Sequence, residues 1–390
     1  MFKGRAYPCI RTPNIGKGHF ILEDVRRVSK ETYRVWTERA VPQIDDLIFA
    51  REAPLGNVAI VPPGLNPCLG QRTVLIRPDS KKVVPKFLMY YLLGDEMQGV
   101  MQSQANGATV PHLNMKDIRN LVLPSLPPLE TQQQIAAILS AYDDLIENKT
   151  RRIKVLEEMA GLIYREWFVN FRFPGHEGVR LVASGLGEIP EGWQAAMLGD
   201  IAEQVRRNVQ PDDVSKDTPY IGLEHLPRKS IALSEWAFPD SVTSSKLRFY
   251  QGEILFGKIR PYFHKVSVAP VDGICSSDII VIRPKNLEFT AFTAMVTSSE
   301  DFVLQSVQTS QGTKMPRANW DVLVKYPIFL PDAALLEKFN GIVANIISQI
   351  RNFVFKNQNL RRTRDLLLPK LISGELNFAK RQHESEVVSV

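Results

Sequence analysis

The residues best placed to do chemistry are basic and aromatic side chains on loops. Lys258-Ile259-Arg260-Pro261-Tyr262-Phe263-His264-Lys265 interleaves the two types, and the glycine loop Gly312–Asn319 carries Thr313, Lys314 and Arg317. Cations on loops neutralise phosphates, and arginine or lysine reaches guanine edges in the major groove, so this pattern points to nucleic-acid contact rather than to bond-making. Earlier in the chain Arg51 follows the apolar run Leu47–Ala50, and Thr109 lies in the glycine loop Gly107–Asn114. The N-terminal stretch holds Lys3, Arg5, Arg11, Lys17, Arg26, Arg27, Lys30, Arg34 and Arg39 against Glu23, Asp24, Glu31 and Glu38. The expected contact set is therefore Arg11, Lys17, Arg51, Thr109, Lys258, Arg260, Tyr262, Thr313, Lys314 and Arg317, with Arg51 and Lys258 foremost.

Other chemistries lack their residues. No Gly-x-x-x-x-Gly-Lys-Ser/Thr phosphate loop and no Gly-x-Gly-x-x-Gly after a strand occurs, so neither an ATP motor nor a dinucleotide or methyl-donor pocket is expected. The histidines His19, His112, His176, His225, His264 and His383 are scattered without metal-ligand spacing. Asp79-Ser80-Lys81 and Glu147-Asn148-Lys149 are the nearest strings to a metal nuclease site, and the second, like Asp143 and Asp144, reads as the solvated face of a helix. Catalytic residues, metals and cofactors are all expected to be absent. Cys9, Cys68 and Cys275 stand far apart and read as reduced, buried thiols. At 390 residues, 44% hydrophobic, 23% charged and net +6, the chain should fold as two or three domains. It has no apolar run of about 20 residues and no signal-peptide core, so a cytoplasmic, non-membrane location is expected.

The elements that must position these loops repeat. Gly107 to Asn114 matches Gly312 to Asn319, an offset of 205, and Asp45–Arg51 matches Gly252–Lys258. In each copy a strand-like run follows the loop, Leu121–Pro124 and Tyr326–Phe329, and then a long helical pattern. From Glu130 to Asn170 the apolar positions Ile135, Leu139, Tyr142, Ile146, Ile153, Leu156, Ala160, Ile163 and Trp167 alternate by fours and threes, interrupted by Lys149. From Ala334 to Ile372 they are Phe339, Val343, Ile346, Ile350, Phe353, Leu360, Leu367 and Leu371, interrupted by Asn357 and Arg364. This is a coiled-coil seam in which a polar residue, Lys149 or Asn357, fixes register. At roughly 40 residues each helix would be about 60 Å long. Pro174–Gly178 and Ser184–Trp193 read as a linker, and the polar end of the chain from Arg381 as a frayed tail. The second copy has a stretch, Ile189 to Pro219, for which the first offers only the few residues before Tyr7.

These features together resemble the specificity subunits of type I restriction-modification systems. The resemblance rests on the duplicated unit, Leu47 to Asn57, the Gly107–Asn114 loop, Leu126-Pro127-Pro128-Leu129-Glu130-Thr131-Gln132-Gln133-Gln134-Ile135, and Ile189-Pro190-Glu191-Gly192-Trp193 followed by Leu198-Gly199-Asp200-Ile201. It covers about Tyr7 to Leu376. It implies an α+β fold: two target-recognition domains with small β-sheets plus two long helices forming an antiparallel coiled coil, in a tandem pseudo-two-fold repeat that matches the backbone symmetry of duplex DNA. The expected divisions are a first recognition domain at 1–128, short at its start, a spacer helix at 129–172, a linker at 173–188, a second recognition domain at 189–331, a spacer helix at 332–376 and a tail at 377–390. The implied role is recognition of a bipartite, asymmetric site on double-stranded DNA. Two modification (methyltransferase) subunits and restriction (ATP-dependent endonuclease) subunits would be the partners, and this chain would catalyse nothing. The alternatives are a stand-alone DNA-cleaving or DNA-modifying enzyme and a coiled-coil adaptor.

Overall fold

The structure, a computed structural model, describes residues 5–107, 109–123, 126–238 and 244–376. The expected tail at 377–390, with Pro124 and Lys3, lies outside them. Two compact units are found, one made of the residues up to Leu145 with those from Leu360 onward, the other of Ile146–Asn359.

In chain order the first unit holds β1 (Arg5–Ile10), β2 (Arg27–Ser29), α1 (Lys30–Trp36), β3 (Leu47–Ala50), β4 (Val58–Ile60), β5 (Cys68–Leu69), β6 (Thr73–Ile76), α2 (Pro85–Leu93), α3 (Asp95–Ser103), α4 (Met115–Arg119) and the first part of α5 (Leu129–Tyr164). Two three-stranded sheets form, ordered β2-β1-β5 and β4-β3-β6. The second unit holds the rest of α5, then β7 (Leu181–Ser184), β8 (Gly187–Pro190), β9 (Gln194–Met197), α6 (Leu198–Ile201), β10 (Ala202–Val205), β11 (Arg207–Val209), β12 (Tyr220–Ile221), β13 (Lys246–Phe249), β14 (Ile254–Gly257), β15 (Val266–Val268), β16 (Gly273–Cys275), β17 (Ile279–Pro284), α7 (Thr290–Ser298), α8 (Glu300–Gln308), α9 (Trp320–Leu323), β18 (Pro327–Leu330) and most of α10 (Ala333–Ile372). Its sheets are ordered β10-β17-β14-β15, β11-β13-β16-β12, β18-β9 and β7-β8.

The duplication read from loops extends to whole elements. α2 and α3 recur as α7 and α8, and α4 as α9. The central strand β3 between β4 and β6 recurs as β14 between β15 and β17. Each central strand is apolar along its whole length because it is covered on both faces, and all four of its residues are buried in both copies. In the first unit Leu47 and Phe49 of β3 pack with Phe87 and Leu88 of α2, Met101 of α3 and Leu139 of α5. In the second, Phe256 and Ile280 pack with Phe292, Phe302 and Phe339. Burying side chains of this size contributes about 1.5–3 kcal/mol each.

Side-chain hydrogen bonds fix the starts of both long helices, for α5 by tying its first turn to the preceding chain and for α10 by capping. The buried Gln132 accepts from the Val84 amide (2.8 Å) and donates to the Pro127 carbonyl (2.8 Å), while Asp332 Oδ1 accepts from the Leu335 amide (2.9 Å) at the start of α10. Within the second unit Phe339, Val343, Ile346 and Ile350 are buried, Ile153, Leu156 and Ile163 pack against them, and Asn357 Nδ2 donates to Thr150 Oγ1 (3.1 Å). Asn357, not Lys149, is thus the buried polar seam residue. Val354, one residue beyond the expected Phe353, is the buried side chain there. Within the first unit Ile135 and Leu139 are buried on the seam; Tyr142, Leu360 and Leu367 are partly buried, and Leu371 is buried. Ile146 itself, at the edge of the second unit, is buried as well.

Asp143 departs from its expected solvated role. Its Oδ1 accepts from Arg364 Nη1 (2.5 Å) and its Oδ2 from the Tyr90 hydroxyl (2.5 Å), which explains why Arg364 interrupts the apolar pattern of α10. Burial, aided by the hydrogen bond to Asp143, pushes the Tyr90 phenol above its ordinary range. Asp143→Ala leaves Tyr90 without its acceptor and Arg364 with only Asp365, and should destabilise the first unit by about 1–3 kcal/mol in urea unfolding, whereas Asp144→Ala should stay within about 0.5 kcal/mol.

Candidate nucleic-acid interface

In both units the strand end and the glycine loop are fastened by main-chain hydrogen bonds. In the second unit the Ala318 amide donates to the Lys258 carbonyl (2.8 Å) and the Arg260 amide to the Pro316 carbonyl (2.7 Å). Arg317 bridges to Ile259 on one side and to Gln311 on the other. In the first unit the Leu113 amide donates to the Arg51 carbonyl (3.0 Å), and His112 bridges to Glu52 and Asn106. Gly107 and Gly312 turn these loops with φ of +94° and +96°, a conformation that side chains resist. At Gly107 an added Cβ would also meet the Val110 carbonyl oxygen at 2.7 Å.

This pairing brings Lys258, Arg260, Thr313, Lys314 and Arg317 onto two adjoining loops, with Thr313, Lys314 and Arg317 exposed. Tyr262 is exposed and stands edge-on to Phe263, over whose ring the Arg228 guanidinium lies at 4.2 Å. Arg260 holds a left-handed backbone (φ +49°) and buries a partnerless Nε. Left-handed strain in a non-glycine residue is typical of loops kept for binding. Lys258 is less free than its position suggested, because its Nζ donates to the Ser277 carbonyl (2.5 Å). Arg51 likewise donates through Nε to the Leu113 carbonyl (2.8 Å), so both foremost residues also brace the loops beside them.

The first unit adds a groove of about 1050 Å³ lined by Arg11, Arg26, Arg27 and Arg72 with Thr12 and Gln71, against Asp24 and Glu52. The Arg72 carbonyl receives the Arg51 amide (2.9 Å), which ties the groove to the strand end. The Cys9 thiol in its wall is held down to about 7 by the hydrogen bond from Cys68, with Arg11 and Arg26 assisting. Thr109 is exposed on the glycine loop, while Lys17 sits on a separate turn and does not line the groove. Arg72 and Arg228 were missing from the expected set. Arg228 carries a local signal, since Leu226-Pro227-Arg228-Lys229 is another proline-basic loop; Arg72 carries none, because its neighbourhood is assembled from distant segments.

His264 closes the Lys258–Lys265 loop. It is buried, with a ring nitrogen 2.9 Å from the Ser298 carbonyl, and burial lowers its pKa below the ordinary 6.5. A depressed histidine contributes stability that is complete above the unfolded value and declines as pH falls through it towards the folded one. Unfolding free energy of the full chain should therefore drop as pH falls through 6.5, and His264→Gln should flatten that dependence.

Known proteins resemble this chain in sequence and in fold. A family model described as the type I restriction modification DNA specificity domain matches residues 5–158. The specificity subunit of the type I restriction enzyme MjaIX of Methanocaldococcus jannaschii is 26% identical over 366 residues, covering 92% of this chain and 83% of the relative. That of EcoDI of Escherichia coli is 25% identical over 347 residues, covering 82% and 76%. Among solved structures, the S subunit of a type I restriction-modification system from M. genitalium shares the fold with a TM-score of 0.54 at 14% identity, covering 94% of this chain and 92% of that one.

Proposed function

We propose that the chain, which is similar to type I restriction-modification specificity subunits along most of its length, is itself such a subunit and that each of its units reads one half of a bipartite, asymmetric site on double-stranded DNA. The observation that carries the reading is the recurrence of one arrangement, a basic strand end hydrogen-bonded to a glycine loop, in two units of different sequence. Different side chains on the same frame give two different half-sites.

In this reading residues 1–128 and 189–331 are the recognition domains, 129–172 and 332–376 the spacer helices that dock partners, and 173–188 the linker. The partners are two modification subunits and the ATP-dependent restriction subunits, and the complex works in the cytoplasm. Among the described residues no helix is long and apolar enough to cross a membrane. The chain itself is the non-catalytic recognition component, which sets aside a stand-alone nuclease or methyltransferase and a mere adaptor.

Arg11, Arg51, Thr109, Lys258, Arg260, Tyr262, Thr313, Lys314 and Arg317 are the proposed contacts, joined by Arg72 and Arg228; Lys17 contributes at most to long-range attraction. Co-expression with the modification subunit in a host lacking such systems, followed by genome-wide mapping of methylated adenine, should give one motif with two different halves. No methylation by a folded complex would overturn the reading. Arg260→Gly separates contact from scaffold: it relaxes the left-handed backbone, so unfolding stability should hold or rise by about 1 kcal/mol. DNA affinity in a gel shift should meanwhile fall about tenfold, with a shallower salt dependence.

A further inference from the structure

Two cysteines far apart in the chain meet in the first unit. β1 and β5 run parallel, with Cys9 directly opposite Cys68. Paired residues of neighbouring strands point to the same face, and strands lie about 4.8 Å apart. That spacing falls inside the roughly 4.4–6.8 Å between Cα atoms that a disulfide spans. Both cysteines are free, and the Cys68 thiol donates to the Cys9 sulfur, with the Pro8 carbonyl 3.7 Å away as its other acceptor.

The second unit has the same frame without these thiols. β12 and β16 pair in the same parallel sense, with Tyr220 opposite Ile274. The next main-chain bond is kept in both units: the Gly70 amide donates to the Ile10 carbonyl (2.7 Å), and the Ser276 amide to the Ile221 carbonyl (3.0 Å). Residues 9, 68 and 70 therefore correspond to 220, 274 and 276, so packing of this strand pair does not demand cysteine. Glycine replaces serine for a local reason. An added Cβ at Gly70 would lie 2.6 Å from Arg11 Cγ and 3.3 Å from Cys9 Sγ. Its absence leaves room for both side chains at the wall of the arginine groove, which Cys9, Gly70 and Arg11 all line.

The two sulfurs are not equivalent. Cys9 is 5% exposed and faces the groove beside Arg11 and Arg26, whereas Cys68 is 0% exposed behind it. The hydrogen bond from Cys68 and the two guanidinium groups favour the thiolate of Cys9, and the same hydrogen bond holds the proton on Cys68. Cys275 has neither advantage: it is fully buried, and burial pushes its thiol up to about 12.

We propose that Cys9 and Cys68 are a peroxide-reactive dithiol, in which Cys9 is oxidised first from the groove and Cys68 then closes a disulfide between β1 and β5. The Cys9 sulfur attacks one oxygen of hydrogen peroxide, the O–O bond breaks, and the leaving hydroxide takes a proton to become water, so that Cys9 becomes a sulfenic acid. The Cys68 sulfur attacks the Cys9 sulfur, the S–O bond breaks, and the hydroxyl leaves with the Cys68 proton as a second water. The two sulfurs together lose two electrons and the two peroxide oxygens gain them. The bond fastens the strands whose ends lead into Arg11 and Arg72. The proposal goes beyond the DNA-reading function, and its test uses no DNA.

The full chain is treated with hydrogen peroxide at neutral pH, unfolded, alkylated without reductant, digested and weighed. The expected product is a peptide pair joined through Cys9 and Cys68, lighter by two hydrogens than the two free peptides, with Cys275 still alkylated. Cys9 should be consumed at least about tenfold faster than Cys275. Cys275→Ser should leave the product unchanged. In Cys68→Ser the reaction should stop at a Cys9 sulfenic acid, trapped by a cyclic dione, and in Cys9→Ser the remaining Cys68 should stay reduced. The oxidised chain should unfold at a higher urea concentration than the reduced one, and a thiol reductant should reverse the shift. Equal rates at Cys9 and Cys275, disulfides formed only between chains, or a native chain in which Cys9 goes on to sulfinic acid with Cys68 untouched would each overturn the proposal.

Discussion

Everything at the candidate interface depends on one repeated constraint, the main-chain hydrogen bond between the end of a buried central strand and the glycine loop. The Lys258 carbonyl receives Ala318, and the Arg51 carbonyl receives Leu113. β3 and β14 are immobilised by packing on both faces, so a loop tied to their ends inherits their position. Binding residues can then vary on the loop without the frame moving. One duplicated scaffold can thus carry two different sets of loop side chains.

Much of this was legible in the chain. The alternating spacing gave both long helices to within a residue at their starts, because a seam buried against one partner must repeat every three and four residues. The paired loops were legible because glycine at φ near +95° tolerates few substitutes, so Gly107 and Gly312 mark the same turn. The interior of the recognition units was less so. The arginine groove joins Arg11, Arg26 and Arg72 from separate turns flanking strands, and no local pattern announces a surface assembled from distant segments. Asp143 was misjudged for the same reason: a carboxylate on a helix looks solvated until Tyr90 and Arg364 arrive from elsewhere in the chain. Phe353 lost the seam to Val354, a one-residue shift that periodicity alone does not resolve next to the polar Asn357.

The strand expected at Leu121–Pro124 shows a different limit. Its second-unit counterpart, Pro327–Leu330, is a strand only because β9 lies beside it, with Ile328 opposite Ala196. Apolar composition permits a strand, but a strand exists when its hydrogen-bonding groups find a neighbour. Of the expected run, the described residues Leu121, Val122 and Leu123 stand in no strand, since the partner is part of the signal.

The ion pairs at the same edge extend that argument to charge. Asp46 is buried and must be satisfied, so without an arginine of the Arg207 type it draws in Arg77, which in the second unit's pattern would face outward to a glutamate. The exchange costs little, because Arg77 stays half-exposed and keeps its charge while Asp46 gains a bidentate partner. The buried carboxylate is therefore satisfied in both units, by the neighbouring Arg77 in the first and by Arg207 from another strand in the second, so one requirement is met through two different pairings.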